Sequence, residues 1–191
     1  MNGDSKTFRL VFSALMVAIG TVLSLFSFSG FWVYGGSVTF CSMLPLVIVS
    51  YRYGWKWGVF TSLVYGLVQM VLGMQNVMYG PNWYTVLAIA LLDYIVAFGV
   101  IGFSSVFDGH VKNESLGLVL GVALAMLLRL LCHSISGWVI WDAMWPNEMG
   151  LASPVYSILY NGSFMLPEAI ITAVVAVILN KAISFKRLGR R

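Results

Sequence analysis

Six long apolar runs separated by short connections constrain this chain more than any other feature of its sequence. They cover residues 10–28, 38–51, 57–74, 83–107, 116–141 and 154–179. A helix needs about 20 mainly apolar residues to cross the hydrocarbon core of a bilayer. The sequence therefore predicts an all-α integral membrane protein, with one domain over residues 1–191 and six transmembrane helices. The second run is short, so we expect it to be tilted or partly re-entrant.

Composition supports a membrane protein and excludes an ordinary soluble domain. Only 9% of the residues are charged, whereas a soluble domain carries about 25%. The first run follows Lys6 and Arg9, as the apolar region of a signal peptide would, but it is longer than such a region and no A-x-A cleavage site follows it. We interpret it as the first transmembrane helix.

The distribution of basic residues predicts the orientation. Ten of the eleven Lys and Arg residues lie at the two termini and in the connections after the second and fourth runs. The connections 29–37, 75–82 and 142–153 contain none. Because cytoplasmic loops carry the excess of Lys and Arg, both termini are predicted to be cytoplasmic. The net charge of +4 therefore reflects membrane topology and does not indicate nucleic-acid binding.

Asp93 is the only charged residue between Lys56 and Asp108, and it lies inside the fourth run. An acidic side chain inside a membrane is costly unless it faces a cavity or a partner, so it indicates a functional site. It could accept hydrogen bonds from an amino-substituted ring or balance a cation. The alternative is a structural ion pair with Arg129 that holds two helices together.

The fifth run carries Arg129, His133 and Trp141 at spacings of four and eight, which places them along one face of a helix. Gly137 between them leaves room beside the backbone. Tryptophan is the aromatic residue that attracts a cation best, so Trp141 is a candidate for stacking on a cationic ring. His133 could instead be a hydrogen bonder between helices.

The sixth run supplies Tyr156 and Asn161 near its outer end. Asn161 offers both donors and an acceptor, as recognition of a heteroaromatic edge requires, although it could equally hold two helices together. Glu168 lies two turns deeper, and we predict that it pairs with Arg129.

Motifs for catalysis and metal binding are absent from the sequence. It contains no G-x-x-x-x-G-K-[ST], no H-E-x-x-H and no G-x-S-x-G. Cys41 and Cys132 lie in apolar stretches and are interpreted as buried thiols. The chain is therefore not expected to be an enzyme, to hydrolyse ATP, or to hold a metal or cofactor.

An ordered set of motifs resembles the thiamine-specific S-component (ThiT/YuaJ) family of energy-coupling-factor (ECF) vitamin transporters. The likeness spans nearly the whole chain. The motifs are Gly35-Gly36-Ser37-Val38-Thr39, Met43-Leu44-Pro45, Tyr53-Gly54-x-Lys56-x-Gly58, Leu91-Leu92-Asp93-Tyr94 with Ala97-Phe98, Arg129 with His133, and Tyr156-Ser157 with Tyr160-Asn161-Gly162-Ser163.

The resemblance implies the ECF S-component fold, with thiamine held near the outer face. It implies that Asp93 and Asn161, helped by Tyr156, recognise the aminopyrimidine. Trp141 would stack on a ring, and the remaining expected pocket residues are His133 and Tyr94, which flank the thiazolium, and Trp83. Some relatives have Glu in place of Asp93, and a loop-closing tryptophan of some members aligns with Gly36, so that Trp32 or Tyr34 is a candidate lid.

The resemblance also implies partners and a location. A transmembrane coupling subunit and two ATPase subunits would energise uptake, with Ala14 and Ala18 on the docking face, in a bacterial cell membrane. Three alternatives remain open. They are an S-component for a different vitamin, an intramembrane enzyme that uses Asp93 and His133 as acid and base, and a structural membrane scaffold.

Overall fold

A computed structural model describes residues 5–29 and 36–188. Its regular secondary structure is helical apart from one two-residue antiparallel pairing. The strands are β1 (Ser27–Phe28) and β2 (Val38–Thr39), and the helices are α1 (Lys6–Leu25), α2 (Leu44–Tyr53), α3 (Trp55–Leu72), α4 (Met74–Val77), α5 (Trp83–Ser105), α6 (Glu114–Met144) and α7 (Ser153–Ile183).

Two of these helices change type along their length. Helix α5 is α-helical over Trp83–Ile89, π-helical over Ala90–Val96, α-helical over Ala97–Gly99 and 3₁₀-helical over Val100–Ser105. Helix α6 is α-helical over Glu114–Ser136, π-helical over Gly137–Trp141 and α-helical over Asp142–Met144. π-helical turns inside α-helices are rare and often occur at functional sites.

Polar residues define where several helices begin. The side chain of Ser5 accepts a hydrogen bond from the amide of Phe8 at the start of α1. The side chain of Asn82 accepts one of 3.0 Å from the amide of Thr85 at the start of α5, and Asn113 caps α6 in the same way. Such caps satisfy amides that have no partner inside the helix. Gly54, with a φ of +87°, allows the sharp turn between α2 and α3.

In the described part of the chain, four helices are long and apolar enough to cross a membrane: α1, α5, α6 and α7. Their outward faces carry exposed large apolar residues such as Leu15, Leu127 and Ile170. A soluble monomer rarely exposes so much apolar surface. The fold is therefore that of a membrane protein, as the sequence predicts.

The helix predicted over the second apolar run is shorter than expected. Residues 38 and 39 form strand β2, and the helix begins only at Leu44, with Pro45 in its first turn. Proline suits the first turn because an amide there has no helical partner. Ten residues of helix span about 15 Å, and nearly all of α2 is buried. The non-helical segment before it lines a cavity, where irregular backbone is tolerated inside a membrane protein.

The two ends of the bundle differ in character. Glu114 and Trp141 lie 27 residues apart in α6, which separates them by about 40 Å. At the Glu114 end, Lys186 pairs with Asp108 at 2.8 Å, and Arg9 lies 3.6 Å above the ring of Trp57. The Trp141 end holds the cavity described next.

Candidate ligand-binding site

A cavity of about 260 Å³ lies among α3, α5, α6, α7 and the segment before α2. Six of the seven predicted pocket residues line it: Asp93, Tyr94, His133, Trp141, Tyr156 and Asn161. Its volume lies just below the range for small-molecule pockets, about 300–1,000 Å³. The fold thus brings residues from three distant parts of the sequence to one site.

The carboxylate of Asp93 is the hydrogen-bonding centre of the site. Its Oδ1 accepts a bond from Nδ1 of His133 at 3.0 Å. Its Oδ2 accepts bonds from Oγ of Ser136 at 2.7 Å and from Nε1 of Trp141 at 2.8 Å. An ionised carboxylate offers about four acceptor positions, so these three donors leave room for one more on Oδ1.

This arrangement depends on the two π-helical turns. Asp93 and Tyr94 lie in the π-helical turn of α5, and Trp141 ends that of α6. A π-helical turn inserts an extra residue, so side chains beyond it are rotated from where α-helical spacing would place them. His133 and Ser136 lie three residues apart in the α-helical part of α6, and the π-helical turn after them carries Trp141 to the same carboxylate.

Aromatic rings form one wall of the cavity. The rings of Trp141 and Trp145 stack with their centroids 5.6 Å apart and their planes 17° apart. Tyr79 meets Trp145 edge-on at 5.3 Å. Trp145 lines the cavity but is absent from the predicted site; its spacing of four from Trp141 was the signal that could have identified it.

Helix α7 contributes Tyr156 and Asn161. The ring of Tyr156 stacks on that of Tyr160 at 5.9 Å. The side-chain amide of Asn161 donates to the backbone carbonyl of Ser157 at 2.9 Å. The predicted space beside Gly137 is real and is filled by this helix, because a Cβ there would collide with the hydroxyl of Ser157.

Tyr94 lines the cavity and also bonds to the chain after α3. Its ring lines the cavity, while its hydroxyl donates to the backbone carbonyl of Gly73 at 3.1 Å, beyond the end of α3. The hydrogen bond fixes the ring against the neighbouring helix, which makes this part of the wall rigid.

The inner end of the cavity holds a buried polar network. Glu168 is 2% exposed and pairs with Arg129, with Nη1 and Oε2 3.9 Å apart. Its Oε1 accepts hydrogen bonds from Thr39 and Ser42. The predicted pairing of Glu168 with Arg129 is thus confirmed, and the alternative pairing of Asp93 with Arg129 does not occur.

The structure does not bring Trp83 to the cavity. This residue is 77% exposed at the start of α5 and contacts Tyr84 edge-on. It lies more than two helical turns before Asp93 along α5, and its predicted pocket role stays a prediction. The two candidate lid residues, Trp32 and Tyr34, lie outside the described residues.

The charges around the cavity favour a positive ligand. Among the described residues that line it, three are acidic and one is a strong base: Asp93, Asp142, Glu168 and Arg129. Because Glu168 faces Arg129, Asp93 and Asp142 remain as excess negative charge. Within residues 5–29 and 36–188, no group of three or more His, Cys, Asp and Glu residues is placed to hold a metal ion.

Comparison with known proteins identifies the family. Residues 10–187 match the family described as Thiamine transporter protein (Thia_YuaJ). The chain belongs to this family. The Thiamine transporter ThiT of Bacillus subtilis (strain 168) is 34% identical over an alignment that covers 94% of this chain and 93% of that protein. The family consists of transport proteins, which confirms that the chain is not an enzyme.

Solved structures support the fold. ThiT from Listeria monocytogenes matches with a TM-score of 0.76 and 22% identity, over 94% of this chain and 96% of that one. The S component of a bacterial ECF transporter matches with a TM-score of 0.67 and 17% identity, over 97% of this chain and all of that one. The predicted ECF S-component fold is confirmed.

Proposed function

We propose that this chain is the S-component that captures thiamine from outside the cell for an ECF transporter. The observation that carries the proposal is the Asp93 carboxylate, which keeps acceptor capacity on Oδ1 inside an aromatic cavity with excess negative charge. Thiamine joins a hydrogen-bond-donating aminopyrimidine to a cationic thiazolium, so it matches both properties. The 34% identical relative is itself called a thiamine transporter.

We propose the following contacts with thiamine for the six predicted residues that line the cavity. The amino group of the pyrimidine donates to Oδ1 of Asp93, and Asn161 with Tyr156 completes recognition of that ring. Trp141 stacks on a ring of the ligand, with its own plane held by the bond to Asp93. His133 and Tyr94 flank the thiazolium.

We also propose that the chain crosses the membrane six times as one domain, with both termini in the cytoplasm. Helices α1, α3, α5, α6 and α7 each make one crossing. The remaining crossing combines β2, the turn after it and α2. Lys186, Arg9 and Arg52 then lie at the cytoplasmic end, and the cavity opens toward the outside, as the positive-inside rule requires.

The proposal includes partners that supply energy. A transmembrane coupling subunit would dock on α1, where Ala14 and Ala18 are both exposed. Small residues let another helix approach closely inside a membrane. Two ATPase subunits would bind to that coupling subunit, and the complex would reside in a bacterial cell membrane.

The test is a thiamine titration of the purified protein in detergent, followed by tryptophan fluorescence and calorimetry. Stacking on Trp141 should quench fluorescence, and heat should be released at micromolar thiamine. Riboflavin and biotin serve as controls, and binding of either in place of thiamine would indicate an S-component for another vitamin. Recovery of chemically altered thiamine would favour an enzyme, and no binding of any of the three would refute the proposal.

A further inference from the structure

Arg129 occupies the inner end of the cavity with little access to solvent. Its side chain is 8% exposed, and its guanidinium carbon lies 4.7 Å from the ring centre of Phe98. Both residues line the cavity. The guanidinium faces Glu168 at 3.9 Å, which balances its charge but is too long for a hydrogen bond.

The hydrogen-bonding capacity of Arg129 is largely unused. Within residues 5–29 and 36–188, neither Nε nor Nη1 has a hydrogen-bond partner, although both atoms are buried. Glu168 is directed elsewhere, because its Oε1 accepts from Thr39 and Ser42. Buried N–H groups without an acceptor are destabilising, so an acceptor that enters the cavity would satisfy them.

We infer that Arg129 is a ligand-binding residue, which donates hydrogen bonds to an uncharged acceptor atom of the bound molecule. The inference rests on the proposed function and assigns Arg129 a role beyond its ion pair. It also gives the ligand a direction, with the pyrimidine amino group and the positive charge on the side of Asp93 and an uncharged acceptor toward Arg129.

The electrostatics of the cavity explain why that acceptor is uncharged. The positive charge of Arg129 is already opposed by Glu168, so an added anion would be repelled by the carboxylate. A cationic ring would be repelled by the guanidinium and attracted to Asp93, which lies one turn of α6 further out, opposite His133. Thiamine has two kinds of uncharged acceptor, the nitrogens of its pyrimidine ring and the oxygen of its hydroxyethyl group.

A cycle of protein variants and ligand analogues tests the inference. The variant is Arg129→Met combined with Glu168→Gln, which removes both buried charges together and keeps an acceptor for Thr39. The probes are thiamine, thiamine with its hydroxyl replaced by hydrogen, and two thiamines in which one pyrimidine nitrogen is replaced by CH. Calorimetry gives each affinity, and thermal unfolding of the unliganded protein reports whether the variant is folded.

The expected result is coupling, meaning that the affinity lost with one of the analogues depends on whether Arg129 is present. Removing the contacted acceptor should weaken binding to the natural protein about tenfold, equivalent to about 1.4 kcal/mol, and should leave binding to the variant unchanged. The probe that shows this coupling identifies the hydroxyethyl or the pyrimidine acceptor. The inference would be overturned if each of the three analogues lost the same affinity in the natural protein and in the variant. Such additive losses would mean that Arg129 and the altered ligand atom act independently.

Two further measurements keep the result interpretable. Arg129→Leu alone removes every donor of the guanidinium, while Glu168 keeps the hydrogen bonds from Thr39 and Ser42. The same cycle on this variant should also show coupling to one probe, and additive losses there would overturn the inference even if the double variant does not fold. If the natural protein does not bind thiamine, the proposed function fails, and the inference falls with it.

Discussion

The carboxylate of Asp93, on helix α5, accepts a hydrogen bond of 2.8 Å from the indole nitrogen of Trp141, on helix α6. The same carboxylate accepts bonds from His133 and Ser136. One acidic side chain therefore orients an aromatic wall and an imidazole, and it also supplies the negative charge that a cation needs. Recognition and positioning are combined in Asp93.

Replacing Asp93 with Ala should weaken thiamine binding by more than tenfold, or about 1.4 kcal/mol. The change removes an acceptor for the ligand and frees Trp141 to rotate. Asp93→Asn, which has nearly the same shape but no charge, should also bind weakly, because its NH₂ group has to face one of the three donors. Calorimetric titration measures both, and an unchanged affinity in Asp93→Ala would refute the role of this residue.

Trp141→Phe should abolish most of the thiamine-dependent fluorescence change and weaken binding severalfold. The substitution removes the indole N–H and the larger stacking face. Trp83→Phe is the matched control, since Trp83 is 77% exposed and lies outside the cavity. That variant should keep both affinity and quenching, and loss of quenching in Trp83→Phe alone would place the ligand elsewhere.

Apolar periodicity and the positions of polar residues predicted most of this site. An acid inside an apolar run, and a histidine and tryptophan on one helical face, identified Asp93, His133 and Trp141. Sequence spacing did not reveal the π-helical turns, because these arise from packing between helices and have no simple residue pattern. Ser136 was missed although it lies three residues after His133 on the same α-helical face, because serine is common in membrane helices and does not stand out. The strand that replaces the first part of the second predicted helix was also missed.

Trp83 shows how a resemblance differs from a spacing argument. Its predicted place in the pocket came only from a resemblance to relatives in which that position is aromatic, and no spacing argument tied it to Asp93. In the structure it lies at the start of α5, among exposed aromatic residues. Such a place is typical of tryptophans at a membrane interface.

Gly137→Ala should impair both stability and thiamine binding. A Cβ at this position meets the hydroxyl of Ser157, so either that hydroxyl gives up its hydrogen bond to the carbonyl of Ser134 or α6 and α7 move apart. Either change disturbs the residue whose backbone carbonyl holds the amide of Asn161. Overpacking of this kind typically destabilises a protein by about 1–3 kcal/mol. Thermal unfolding in detergent and calorimetry measure the two effects.

Gly162→Ala provides the control for that experiment. A Cβ there meets nothing within 4 Å, and alanine favours a helix over glycine by roughly 0.5–1 kcal/mol. This variant should be as stable as the natural protein or more so, with unchanged affinity. Similar behaviour of the two alanine variants would show that close packing at Gly137 is unimportant.

Glu168→Ala should be among the most destabilising substitutions in the chain. It leaves the buried guanidinium of Arg129 without its counterion and removes the acceptor used by Thr39 and Ser42. Breaking a buried ion pair in this way costs about 3–5 kcal/mol. Melting temperatures of the unliganded protein should fall more for Glu168→Ala than for Thr39→Val, and the reverse order would contradict this role of the ion pair.

Ala14→Trp and Ala18→Trp should prevent assembly with the coupling subunit while leaving thiamine binding intact. Both alanines are exposed on α1 and lie outside the cavity, so a large side chain can be accommodated in the isolated chain. It would hold a partner helix away from a surface that needs close approach. Leu127→Trp, on an exposed face of α6, is the matched control and should assemble normally. Co-purification with the coupling and ATPase subunits measures assembly, and equal recovery of all three variants would mean that the partner docks on a different surface.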